Sequence, residues 1–69
     1  MDRTPVTSSN IASVGYSEEE KTLEIEFNSG AVWQYLLVPS SVHHALMTAP
    51  SVGSFFYHNI KNRYTEVPA

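Results

Sequence analysis

The side chains best suited to binding gather in two places. Trp33 and Tyr35 stand two residues apart, and His58, Asn59, Lys61, Arg63 and Tyr64 crowd a single segment near the C-terminus. Aromatic faces on alternate strand positions can stack on nucleobases, each stack contributing about 1–3 kcal/mol. Cations, an amide and a phenol on neighbouring positions can contact phosphate oxygens. Both groups also have an ordinary structural reading. Trp33 and Tyr35 can pack in a core, and basic residues in a last helical turn complement the helix dipole.

Catalytic equipment is missing. The chain has no cysteine, which removes thiolate nucleophiles, cysteine-ligated zinc and disulfides, and suits a reducing cytoplasm, the expected location. His43 and His44 are adjacent, so on a helix they point about 100° apart and cannot chelate one metal together. Ser51 lies in no strand–turn–helix elbow and reads as a helix N-cap. Glu24 and Glu26 share one strand face, where they can form an acidic recognition surface or discourage edge aggregation. Paired-carboxylate chemistry would need a cleft that a domain this small has little room to build. The expectation is a non-catalytic binding module with no metal site and no cofactor.

The 69 residues suffice for one domain, with a loose arm over residues 1–9 and a folded unit over residues 10–66. A chain of this size buries only about 60% of its unfolded surface, so its 42% hydrophobic residues are all wanted in the core. Net charge is −3, with acids at Glu18–Glu20, Glu24 and Glu26. A protein gripping phosphate backbones by charge alone is normally basic, so any nucleic-acid contact must be local. The first residues lack the apolar stretch of a signal peptide, and no run approaches membrane-spanning length.

Hydropathy patterning supplies the frame. Residues 11–16 are strand-like, with Ala12, Val14 and Tyr16 on one face. Thr22 to Phe27 alternates strictly, placing Leu23, Ile25 and Phe27 on one side and Thr22, Glu24 and Glu26 on the other. Asn28-Ser29-Gly30 fits a three-residue hairpin loop, with Gly30 in the left-handed region. That loop sets Phe27 against Ala31, Ile25 against Trp33 and Leu23 against Tyr35, on a face shared with Leu37. Glu26 then opposes Val32, and Glu24 opposes Gln34.

Pro39 ends this strand and suits a helix start. Val42, Ala45, Leu46 and Ala49 recur at helical spacing until Pro50. A second helix runs from the Ser51 cap to about Asn62 with Val52, Phe55, Phe56 and Ile60 as its apolar set. Tyr64, Val67 and Pro68 belong to a tail. The fold class expected is α+β: a three-stranded antiparallel meander with two short helices on one face.

The ordered set Val14-Gly15-Tyr16, Leu23-x-Ile25-x-Phe27, Gly30, Trp33-x-Tyr35, Val38-Pro39, Ala49-x-Ser51-x-Gly53, Phe56, Ile60 and Tyr64 resembles the KTSC domain. That family is named for its place at the C-terminus of some lysyl-tRNA synthetases, and it also occurs as free-standing small proteins of bacteria and phages. The resemblance spans about Ser8 to Tyr64. One departure is that the family's Tyr-x-Tyr is Trp33-Gln34-Tyr35 here, which removes one phenol. The synthetase context implies RNA as a partner. Acidic charge, small size and abundant aromatics point instead to a protein partner or a second copy of this chain.

Overall fold

The computed structural model describes residues 1–69. Five antiparallel strands lie in chain order in one sheet: β1 (Arg3–Pro5), β2 (Ile11–Ser17), β3 (Thr22–Phe27), β4 (Val32–Tyr35) and β5 (Glu66–Pro68). Helices α1 (Ser40–Thr48) and α2 (Val52–Asn59) intervene between β4 and β5. Leu46, Phe56 and Ile60 bring them onto the face of Leu23, Ile25 and Tyr35, and these side chains form one buried core with Ile11, Val14 and Val38. The α+β class and the helical layer are as expected. No helix is long and apolar enough to cross a membrane.

The central hairpin follows the register set by its loop. Phe27 N donates to Ala31 O at 2.8 Å, Gly30 N donates to Phe27 O at 2.9 Å, and Gly30 has φ +97°. Ile25 therefore faces Trp33, Leu23 faces Tyr35, Glu24 faces Gln34 and Glu26 faces Val32. Leu23 and Ile25 are fully buried.

The strand count is corrected from three to five. Arg3–Pro5, assigned by sequence to a loose arm, pairs with β2, and Glu66–Pro68 pairs with β4. Both segments are short and carry no alternating pattern, because backbone hydrogen bonds rather than apolar faces hold them. β1 has one further tie. Gly15 separates Arg3 from Glu24 in the register, and without a side chain there Arg3 Nη1 reaches across β2 to Glu24 Oε2 at 3.2 Å. Gln34 Nε2 donates to the other oxygen of Glu24 at 2.9 Å, and Ser13 Oγ donates to Glu26 at 2.7 Å. The outer face of the sheet is thus a bonded polar layer.

Three local expectations also change. Ile11 pairs with Phe27 and Ser13 with Glu26, making Ala12 the extra residue of a β-bulge. The bulge shifts parity, so Ile11 and Val14 are both core and Ala12 is not. Leu37 was expected beside Tyr35, but it adopts φ +57° and is 78% exposed. The left-handed residue turns the chain so that Val38 enters the core and its N–H donates to Lys21 O at 2.8 Å. Finally, α2 stops at Asn59: Ile60 N and Lys61 N both donate to Phe56 O, and Asn62 has φ +66°.

α1 is fastened by an aromatic stack. Tyr16 and His43 rings lie 4.5 Å apart at 8°, and Tyr16 donates its hydroxyl to Val38 O at 2.6 Å. Burial, with the charge of Glu18 second, raises the Tyr16 phenol. Burial, with the neighbouring His44 second, lowers the His43 imidazole.

Leu37→Gly relieves a left-handed side-chain clash of about 1–2 kcal/mol while Gly gives back about 0.5–1 kcal/mol of chain entropy, so Tm holds or rises. Val38→Ala, one residue on, lowers Tm by several degrees in the same thermal melt, since about 1 kcal/mol shifts a domain this small by roughly 4–8 °C. For His43, the folded state binds its proton less readily than the unfolded chain, so stability falls as pH drops through the ordinary imidazole value near about 6.5. Urea titrations across that range should show the loss, and His43→Gln should shrink it.

Candidate functional site

A groove runs where α2 meets the loop before β2 and the tip of the β3–β4 hairpin. Its more apolar half, about 310 Å³, has a floor of Ile11, Phe27 and Phe56 and a rim that includes Asn10, Asn28, Tyr57 and Lys61. It continues, through shared Ser9, Asn10, Gly53 and Tyr57, into a polar half lined by the N-terminal turn of α2 and by His58.

Local sequence builds each wall. Ser51 caps α2, its Oγ accepting from Ser54 N at 3.2 Å, as its residue type suggests. The apolar set of α2 faces the sheet, which leaves Tyr57 outward and 66% exposed at the rim. Ser8 shapes the opposite wall. Its Oγ accepts from Asn10 N and Ile11 N, both at 3.3 Å, and its carbonyl accepts from Asn28 Nδ2 at 3.2 Å. Gly53 allows this loop to approach the helix, since a β-carbon there would sit 3.0 Å from Ser8 Oγ.

The acidic side chains lie away from the groove. None of the seven carboxylates lines either half of the groove. Asp2, Glu19 and Glu20 surround a hollow at the β2–β3 turn, by the Thr22 end of β3, whereas the groove lies at its Phe27 end. Glu24 and Glu26 are bonded on the outer sheet face, and Glu66 lies beside Tyr35. Lys61 is on the groove rim and Arg63 follows closely, its Nε donating to His58 O at 3.3 Å.

The residues singled out by sequence are divided by the fold. Lys61 and His58 line the groove, one in each half. Asn59 is exposed and donates to Phe55 O at 3.2 Å. His58 Nδ1 lies 2.9 Å from Ser54 O, which fixes its ring. Tyr64 is half-buried against the core, as is Trp33. Tyr35 is 1% exposed, edge-on to Phe56 at 5.3 Å, and its phenol is held far above its ordinary range by burial and secondarily by Glu66. Trp33 and Tyr35 therefore do not join the basic segment in one site. Tyr57 takes the aromatic place at the groove, together with Asn10, Asn28 and Gly53.

His58 and Ser54 do not form a nucleophile–base pair. The Nδ1 of His58 is occupied by a backbone carbonyl, and its distance to Ser54 Oγ is 3.4 Å, too long for an activated nucleophile. No group of three or more histidine, cysteine or acidic residues converges as a metal site would require.

The KTSC domain family model matches residues 7–64. An uncharacterized protein of Stutzerimonas stutzeri is 45% identical over 56 residues, covering 81% of this chain and 79% of the relative. A lysine–tRNA ligase of Nostoc punctiforme is 43% identical over 54 residues, 78% of this chain but 10% of the ligase. The crystal structure of a KTSC domain protein from Yersinia pestis superposes with a TM-score of 0.96 at 40% identity, covering 99% of this chain and 96% of that one. The chain belongs to the KTSC domain family.

Gly53→Ala tests the wall. The added methyl gains about 0.5–1 kcal/mol of helix propensity but must displace a hydroxyl that holds two backbone amides. Hydrogen exchange should show faster exchange at Asn10 and Ile11 while the Leu23 and Ile25 amides are unchanged.

Proposed function

We propose that this KTSC domain is a non-catalytic module that binds single-stranded RNA in the groove between α2 and the hairpin tip. The observation that carries this reading is charge placement: in a chain of net charge −3, the groove is free of carboxylates and has Tyr57 and Lys61 on its rim. Base-on-aromatic stacking with a nearby cation is the recurring chemistry of single-strand binding. The likeness to a segment of a lysine–tRNA ligase supports an RNA partner.

Affinity is modest and only mildly salt-dependent. Two phosphates neutralised by Lys61 and Arg63 give a log–log salt slope of about −1.4, against about −0.7 after Lys61→Ala. Tyr57→Ala removes a stack and weakens binding by about 1–3 kcal/mol. Fluorescence anisotropy with single-stranded RNA and tRNA at low salt reads all three. Absence of binding at about 0.1 mM protein, the weak end of non-specific affinities, or unchanged binding by Tyr57→Ala, contradicts the reading.

A protein partner is the second reading, favoured by Leu37, which is 78% exposed on the loop that meets the Thr22 end of β3. In that case a second copy is the simplest partner. Light scattering should then give a dimer mass that Leu37→Asn returns to a monomer.

A further inference from the structure

We infer that the apolar half of the groove is a seat for one unpaired adenine, with Asn10 as the residue that selects it. This inference rests on the RNA reading above and names what the same site takes. At about 310 Å³ the space lies at the small end of ligand sites, roughly 300–1,000 Å³, and holds one nucleoside rather than a run of bases. Its floor of Ile11, Phe27 and Phe56 offers a base an apolar bed, and a purine covers more of it than a pyrimidine. Tyr57 stands at the rim to stack on the base or its neighbour, and Lys61 stands where a flanking phosphate would pass.

Selection comes from the free carboxamide. Asn28 has committed its amide nitrogen to Ser8 O. The Asn10 side chain makes no hydrogen bond within the protein: its backbone N–H is held by Ser8 Oγ and its carbonyl accepts from Asn28 N at 2.8 Å. The backbone is thereby fixed while the side chain keeps one donor group and one acceptor for a ligand. Adenine offers the complementary pair on its Hoogsteen edge, an N6 donor beside an N7 acceptor, which is the bidentate partner of asparagine. Guanine presents two acceptors on that edge, O6 and N7, which one carboxamide cannot satisfy together.

The test uses the full chain with fluorescein-labelled hexamers of adenosine and of uridine, titrated against wild type and Asn10→Ala. Because both backbone anchors of Asn10 survive the substitution, circular dichroism and Tm should match wild type. Wild type is expected to bind the adenosine hexamer about tenfold or more tightly than the uridine hexamer, the scale of one bidentate base contact. Asn10→Ala should remove most of the adenosine preference, leaving the part that the apolar floor supplies, and leave uridine unchanged. Equal binding of the two hexamers by wild type, or an equal loss for both in Asn10→Ala, overturns the adenine seat while the RNA reading stands. If neither hexamer binds, both readings are overturned.

Discussion

The molecule depends on one alignment, the register that the Asn28–Gly30 loop imposes on β3 and β4. With Gly30 at φ +97° and Phe27 N bonded to Ala31 O, the apolar row of β3 must face the aromatic row of β4. A slip by one residue would turn Leu23 and Ile25 to solvent and bring Glu24 and Glu26 under the helices. In a chain of 69 residues there is no reserve of buried area to absorb that exchange. The helices have only this surface on which to bury Leu46, Phe56 and Ile60, and the position of α2 on it creates the groove.

The central architecture was legible because its signals are periodic or stereochemical. Strict alternation in β3, a loop with glycine in its last position, proline ahead of α1 and serine ahead of α2 each act through a local rule. The edge strands were not legible, since three-residue segments ending in Pro5 and Pro68 pair mainly through the backbone and carry no apolar alternation. The bulge at Ala12 and the left-handed Leu37 were hidden for a related reason. Each breaks a periodicity by one residue, and only the partner strand or the buried Val38 shows that the break is favourable.

The site was half legible. Lys61 and His58 were visible as charge and imidazole in one segment, and Trp33 and Tyr35 formed a second group whose ordinary packing reading matches their place against the core. Tyr57 left a usable signal: the helical set Val52, Phe55, Phe56 and Ile60 already implies that position 57 faces outward. The walls from Ser8, Asn10 and Asn28 carried none, because they join the helix only through the fold. The separation of acids from the groove is likewise a property of three dimensions, since net charge averages over both ends of the molecule.

The account is tested most directly by recording amide spectra of isotope-labelled protein during titration with a short single-stranded RNA. Shifts concentrated at Asn10, Gly53, Tyr57 and Lys61, with Glu18–Glu20 unmoved, are the result expected of an acid-free groove. Shifts confined to Leu37 and the acidic turn, or none at saturating RNA, would contradict it.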